Sequence, residues 1–98
     1  MYARVSSITG STENIDAGID NFRNDVLPAI REEAGCSGAI MLADRNTGKG
    51  MAITLWADEE AMRASEQRAN ELRAQAADAL GAGEAPAVDR YEVAVFET

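Results

Sequence analysis

The chain opens with a segment in which apolar or β-branched side chains alternate loosely with polar ones. This segment, YARVSSIT at 2–9, predicts a strand that ends at Gly10. Beyond it, apolar residues recur at intervals of three and four, which predicts a helix over about 12–33. The apolar stripe of this helix consists of Ile15, Ile19, Phe22, Val26 and Ile30. Pro28 lies inside the pattern, and because it lacks a backbone donor we expect a kink or break near 25–28.

Two strand-like runs follow this helix, CSGAIMLADR at 36–45 and KGMAITLWA at 49–57. Only the short sequence NTG separates them, and Gly48 and Gly50 are available for positive φ angles. A connection this short joins strands that pair antiparallel. The pattern therefore predicts a β-hairpin.

A second helix is predicted over about 58–80. Asp58 occupies the N-cap position, and carboxylates follow it in the first turn, where the positive end of the helix dipole stabilises them. The inner stripe of this helix consists of Met62, Ala69, Leu72, Ala76 and Leu80. A glycine-containing loop ends the helix, and DRYEVAVFE at 89–97 predicts a last strand.

The order of the predicted elements is β-α-β-β-α-β. This order is typical of the ferredoxin-like α+β fold, in which four antiparallel strands form one sheet with both helices on one face. The chain has 98 residues, a length that suits one modest hydrophobic core. We therefore predict a single ferredoxin-like domain over residues 1–98.

The second face of this sheet is predicted to be apolar as well. An antiparallel sheet with one face in water alternates cleanly between apolar and polar residues, and these strands do not. The apolar residues on both sides are Ile40, Leu42, Met41 and Ala43; Ile53, Leu55, Ala52 and Trp56; and Val93, Val95, Ala94 and Phe96. Because two-fold pairing of identical faces is the commonest way to cover such a surface, we predict a homodimer with its sheets face to face.

The composition of the chain limits the classes of partner that it can bind and indicates its cellular compartment. The chain has 17 acidic and 9 basic residues and a net charge of −8, which disfavours both nucleic acid and an anionic membrane surface. Its longest apolar run, AIMLA at 39–43, is far shorter than a membrane span. The lone Cys36 cannot form an internal disulfide. We expect a soluble, cytoplasmic protein.

The chain contains no histidine. Catalytic sites that depend on an imidazole are therefore excluded, among them Ser-His-Asp triads, His-ligated zinc and haem with a proximal histidine. Glu13, Asp16 and Asp20 lie on neighbouring turns of the first helix, but a solvated face is the better interpretation in an acidic protein. No metal site is predicted.

Two stretches carry a resemblance to a known family. GCSGAIML leads into the second strand, and TLWADEEAMRA at 54–64 places a tryptophan at the end of the third strand, just before an acidic helix start. Together with the order of elements, these stretches resemble the antibiotic biosynthesis monooxygenase family of dimeric α/β barrels. The resemblance implies a barrel built from two chains, with a cavity in each subunit between sheet and helices.

The same resemblance suggests activities. Members of the family include cofactor-independent oxygenases of phenolic polyketides, haem-degrading enzymes and proteins without a known activity. Haem-degrading members use a histidine on the second helix as the iron ligand, and many relatives carry a histidine about where this chain has Ser65. They also place an asparagine on the first strand near the position aligned with Arg4. Haem degradation is therefore disfavoured, and no cofactor is predicted.

The resemblance also suggests which residues surround the cavity. Strand parity allows Arg4, Ser6, Thr54 and Trp56 to face one space. A buried arginine there would stabilise a substrate phenolate, and an apolar wall would exclude water. The candidate catalytic residues are Arg4 and Arg90 as cations and Tyr91 as a proton relay. The candidate ligand-binding residues are Ser6, Thr54, Trp56 and Ser65. Taken one at a time, the favoured interpretation is a solvated strand-edge side chain for Arg90 and a packed ring with its hydroxyl at the surface for Tyr91.

Two functions stay open at this point. One is a monooxygenase acting on a small flat aromatic substrate, which predicts a solvent-reached cavity of about a few hundred cubic ångströms lined by Trp56 and an arginine. The other is a non-catalytic dimeric module that binds a small ligand or only assembles, which predicts that the second helix seals Trp56 and that no cation reaches the cavity. Packing at the strand–helix corner is the favoured role of Trp56, and stacking on a ligand is the alternative.

Overall fold

The computed structural model describes residues 1–83 and 85–98. Four strands form one antiparallel sheet: β1 (Tyr2–Thr9), β2 (Cys36–Asp44), β3 (Lys49–Trp56) and β4 (Ala87–Glu92). Their spatial order is β2-β3-β1-β4, so β1 lies at the centre between β3 and β4. This is the order of a ferredoxin-like fold, and the predicted fold class and hairpin are confirmed.

The first helical segment consists of two short α-helices with an irregular stretch between them. A 3₁₀ turn at Thr12–Asn14 leads into α1 (Ile15–Asn21), a π-helical stretch covers Phe22–Val26, and α2 (Leu27–Arg31) follows. Pro28 has no N–H to donate to the carbonyl four residues earlier, and its ring crowds that carbonyl. The chain therefore widens into a π turn just before the proline. The predicted irregularity is present, but the helix continues through it.

The second helical segment begins as predicted and is interrupted where no break was predicted. Asp58 accepts a hydrogen bond from the backbone N–H of Ala61 at 2.8 Å, which confirms it as the N-cap of α3 (Glu59–Ala64). Ser65 separates α3 from α4 (Glu66–Leu80). None of the helices among residues 1–83 and 85–98 is long and apolar enough to cross a membrane.

The last strand is shorter and begins earlier than predicted. It covers Ala87–Glu92 and pairs only with β1, in a register that ends at Tyr2↔Glu92. The backbone N–H of Val93 still donates to the Met1 carbonyl at 2.9 Å, but the following residues have no strand beside them. The prediction of a strand through residue 97 was therefore wrong. Val95 and Phe96, assigned to its two faces, lie exposed outside it.

Both helical segments pack on one face of the sheet and enclose two apolar clusters. One cluster contains Val26, Ile30, Trp56, Met62 and Leu72, and the other contains Ile8, Ile15 and Leu80. On the opposite face, β2 and β3 present apolar residues that no described segment covers. Ile40, Leu42 and Met51 are exposed there. The predicted second apolar face is thus present on β2 and β3.

Candidate functional site

Arg4 is a charged side chain in the middle of the core. It lies on β1 opposite Thr54, faces the helices, and is only 2% exposed. Its Nη1 donates to the Met62 carbonyl at 3.1 Å and to Ser65 Oγ at 3.0 Å. Both acceptors lie where α3 ends, and the Met62 carbonyl is one that a continuous helix would use internally. The break at Ser65 therefore anchors this guanidinium.

Trp56 supports Arg4 from the other side. The indole is 0% exposed, and its Nε1 donates to Thr54 Oγ1 at 2.9 Å. The Arg4 guanidinium carbon lies 5.1 Å from the ring centroid, a cation–π distance. This geometry favours the packing role of Trp56. A flat ligand cannot reach the ring in this conformation.

Glu66, the first residue of α4, is the ionic centre of the site. It accepts a bidentate pair of hydrogen bonds from Arg90, with Nε at 2.7 Å and Nη2 at 2.8 Å. It also lies 3.3 Å from Arg4 Nη1 and 4.0 Å from Arg73 Nη2. Among the described residues it is the one carboxylate that pairs with these three arginines. Three positive charges therefore surround one negative charge.

The ionisation equilibria reflect this imbalance. The hydrogen bond from Arg90, with further help from the charge of Arg4, holds the pKa of the Glu66 carboxyl below its usual value. Burial lowers the pKa of Arg4, although Glu66 opposes that effect. Burial, followed by repulsion from Arg4, also lowers the pKa of Arg73. Glu66 thus remains ionised, and it compensates the three guanidinium charges only in part.

A small cavity lies between the sheet and the helices beside this cluster. Its volume is about 50 Å³, which is room for only about three water molecules. The walls are mostly apolar, with Arg4, Ser6, Thr54 and Arg73 as the polar contributors. The apolar lining residues are Ile8, Phe22, Val26, Ile30, Ala52, Ala69, Leu72 and Ala76. The cavity is much smaller than predicted, and Trp56 does not line it.

Two guanidinium nitrogens of arginines that line this cavity are buried, and neither has a hydrogen-bond partner in residues 1–83 and 85–98. They are Arg4 Nη2 and Arg73 Nη1, here called the donor pair. The other terminal nitrogens of these side chains are engaged, Arg4 Nη1 as described and Arg73 Nη2 by Asn70 and Glu66. Thr54 adds a third donor, because its oxygen accepts from Trp56 and its own hydroxyl proton stays available. The cavity surface is almost entirely apolar, and these donors belong to side chains that line it.

The predicted site residues divide into three groups. Arg4, Ser6 and Thr54 line the cavity, while Trp56 and Ser65 touch Arg4 and lie outside the lining. Arg90 joins the cluster through Glu66 at the sheet edge. Tyr91 is 56% exposed and, one residue along β4 from Arg90, lies on the opposite face, so it does not approach the cavity.

Glu66 and Arg73 were not identified from the sequence. A signal for Arg73 exists in retrospect, because it follows Ala69 by four residues and precedes Ala76 by three, on the predicted inner stripe of α4. An arginine on an otherwise apolar stripe indicates a charge directed toward the interior. Glu66 carried the same signal, because it follows Met62 by four residues and precedes Ala69 by three on the predicted stripe.

The chain is similar in sequence and in fold to several known proteins. Two uncharacterized Mycobacterium tuberculosis proteins match 98% of the chain, Rv2557 at 37% identity and Rv2558 at 38%. The chain spans only 42% and 40% of their lengths. Among solved structures, a Streptomyces coelicolor monooxygenase from the gene ActVA-Orf6, in complex with nanaomycin D, superposes with a TM-score of 0.77 at 18% identity, covering 99% of this chain and 92% of the other.

A second structure, the NE2512 protein of unknown function from Nitrosomonas europaea, gives a TM-score of 0.74 at 18% identity over 99% of this chain and 92% of that one. At such low identity these superpositions establish the fold alone. The sequence model of the antibiotic biosynthesis monooxygenase family matches residues 1–77, which include β1 to β3 and most of α4. The chain therefore belongs to the antibiotic biosynthesis monooxygenase family.

Proposed function

We propose that the protein is a cofactor-independent monooxygenase of a small, flat, phenolic aromatic compound bound between sheet and helices. The observation that carries this proposal is the buried, solvent-excluded guanidinium of Arg4 at an apolar cavity. Family membership and the likeness to a monooxygenase structure in complex with nanaomycin D support it. The specific reaction is our inference from this chain's own residues.

The reaction requires the substrate to act as the reductant. A phenolate donates one electron to dioxygen, and the resulting phenoxyl radical and superoxide combine into a peroxide anion with a new carbon–oxygen bond. The proton that the phenol released on ionisation converts this anion into a hydroperoxide. Loss of the ring hydrogen at that carbon and cleavage of the oxygen–oxygen bond release water and leave a quinone. Arg4 stabilises the phenolate before electron transfer, and the apolar walls exclude water from the peroxide.

The size of the cavity limits how the substrate enters. At about 50 Å³ it accommodates one edge of an aromatic ring but not the whole ring. Substrate binding therefore requires lining side chains to move. Phe22 and Val26 are suited to this because they belong to the π-helical stretch, and π-helical turns are frequent at functional sites.

The alternative is a non-catalytic dimeric module that binds a small ligand or only assembles. The complete burial of Trp56 and the small cavity favour it. The two arginines that reach the cavity favour a ligand site, since a purely structural module has no need of the donor pair. In both cases we propose a homodimer formed by the uncovered sheet faces, located in the cytoplasm.

Native mass spectrometry followed by oxygen uptake tests the proposal. Gentle ionisation reports the assembly and any bound compound together, and oxygen consumption is then measured with naphthols and hydroxyquinols. Replacing Arg4 by Lys should lower the rate of oxygen uptake about tenfold to a hundredfold, because the oriented planar fork of donors is lost while the charge is kept. The matched control is Arg68→Lys on the exposed side of α4. Oxygen uptake that is absent, or unchanged in Arg4→Lys, contradicts the monooxygenase and leaves the ligand-binding module.

A further inference from the structure

We infer that the cavity binds an organic anion, with a carboxylate group held between Arg4 and Arg73. This inference deepens the proposed function by naming the class of ligand, an aromatic carboxylic acid, and it rests on that proposal only for the location of the ligand. It also assigns to Arg73, which the sequence did not single out, the role of selecting a charged ligand over a neutral one.

The first argument is the hydrogen-bonding character of the site. Arg4 is 2% exposed and the Arg73 side chain 12%, yet within the described part of the chain the donor pair has no acceptor. A buried charged donor without a partner is destabilising, because nothing in the protein replaces the hydrogen bonds that it makes to water. Thr54 offers a further donor to the same space. A group with two acceptor oxygens complements these donors, and a carboxylate is such a group.

The second argument is charge. Glu66 is shared among Arg4, Arg73 and Arg90, and its two oxygens already hold the bidentate contact with Arg90. Arg73 is the most remote of the three, with its Nη2 at 4.0 Å from the carboxylate. A second anion placed next to Arg73 would reduce the local excess of positive charge in a protein whose net charge is −8. Arginine is also the side chain whose fork best matches a carboxylate.

The third argument is size and surroundings. A cavity of about 50 Å³ has room for a carboxylate group, and a small shift of lining side chains is needed to uncover the donor pair. The neighbouring walls contributed by Phe22, Val26 and Leu72 are apolar, so the remainder of the ligand meets hydrocarbon when it displaces them. The site therefore combines a charged end with an apolar extension, as an aromatic acid does.

Benzoate and benzamide provide a matched pair of probes because they share shape and differ in charge. Their binding to the full chain is measured by NMR titration at neutral pH. Benzoate should bind at least about tenfold more tightly than benzamide, since only the anion forms an ion pair with the arginines and offers them two acceptor oxygens. Arg73→Met should abolish this preference, and Arg68→Met, on the exposed side of the same helix, should retain it.

A second variant protects the test against a failure of Arg73→Met to fold. Glu66→Gln removes the internal carboxylate that competes for the same guanidinium groups, so benzoate should bind about threefold to tenfold more tightly. Equal binding of the two probes, no detectable binding of benzoate, or an unchanged preference in Arg73→Met overturns the inference. Charge-selective binding without oxygen uptake supports the inference and rejects the oxygenase. Oxygen uptake with neutral phenols, together with equal binding of benzoate and benzamide, supports the oxygenase and rejects the inference of a carboxylate site.

Discussion

At the scale of single residues, the site depends on one buried cation and the groups that hold it. The Arg4 guanidinium lies over the Trp56 ring, and its Nη1 donates hydrogen bonds to acceptors at the end of α3. Each partner is itself fixed, Trp56 by Thr54 and Ser65 by the Met62 carbonyl at 2.8 Å. Such a network orients a guanidinium with little remaining freedom. Its members should therefore matter for stability even where they do not touch a ligand.

Trp56→Phe tests this structural role. The variant loses the hydrogen bond to Thr54, part of the cation–π contact and some buried volume, so the free energy of unfolding should fall by about 2–3 kcal/mol. Urea denaturation measures the change. Tyr91→Phe is the matched control, because its hydroxyl lies on an exposed side chain and its loss should cost less than about 0.5 kcal/mol. A Trp56→Phe variant as stable as the parent would contradict the packing role.

Glu66→Gln tests the ionic centre through pH. Arg90 and Arg4 lower the pKa of Glu66 below its ordinary value of 4.5, so its ionised form contributes stability above that pH and loses it as the pH falls. At pH 7 the parent should exceed the variant in free energy of unfolding by about 1–3 kcal/mol. This difference should shrink progressively below pH 4.5.

Thermal unfolding at pH 7 and at pH 3 measures the effect of Glu66→Gln. Glu71→Gln serves as the control, since Glu71 is an exposed partner of Arg68 at 3.5 Å. Surface pairs of this kind contribute about 0–1 kcal/mol. A difference for Glu66→Gln that stays constant from pH 7 to pH 3 would show that charge is not its source.

At the scale of elements, the irregular points of the helices lie next to the site. The π-helical stretch brings Phe22 and Val26 to the cavity, and the break at Ser65 brings two acceptors to Arg4. The regular part of α4 carries Ala69, Arg73 and Ala76 along the same wall. The position of α4 therefore decides the shape of the cavity. Its far end is held by Leu80 in the second apolar cluster and by the turn at Gly81.

Gly81→Ala tests how α4 is anchored at that end. Gly81 has φ 65° and ψ 34°, the left-handed conformation that ends many helices, and an added Cβ would lie 2.6 Å from Asn14 Nδ2. The variant should lose about 1–2 kcal/mol of stability. Gly83→Ala should be near neutral, because no atom of the described residues lies within 4 Å of a Cβ there. Equal unfolding midpoints in urea for the two variants would contradict this anchor.

At the scale of the whole molecule, the sheet has one face in the core and one apolar face that no described segment covers. Ile40, Leu42 and Met51 on β2 and β3 are partly or largely open to solvent, with Leu42 49% exposed. An exposed apolar sheet face is typical of an interaction surface. Our proposal of a face-to-face homodimer accounts for it, and the site would then lie on the far side of each sheet from the interface.

Leu42→Asp tests the homodimer. The substitution places a charge on the apolar face proposed to be buried, where a charge is unfavourable, and should shift a dimer to monomer with at least a hundredfold weaker association. Sedimentation velocity at micromolar concentration measures the assembly. Gln67→Asp makes the same change of charge on the exposed side of α4 and should leave a dimer intact. A parent protein that sediments as a monomer contradicts the proposed pairing.

The sequence by itself determined the order of elements, the fold class and the shared face of Arg4, Ser6 and Thr54. These features follow from the local periods of two residues in a strand and 3.6 in a helix, which are readable without knowledge of distant contacts. The end of β4 was not readable in this way, because the apolar pattern of residues 93–96 continues past the point where β1 offers a partner.

Only the tertiary structure decided the break at Ser65, the gathering of three arginines around Glu66 and the size of the cavity. Arg4 and Ser65 are 61 residues apart in sequence, so their hydrogen bond exists only once α3 has packed on the sheet. Whether Trp56 would line the cavity or fill the core depended likewise on where the helices came to rest. Side-chain direction and cavity volume arise from the packing of distant segments, and local patterns do not contain that information.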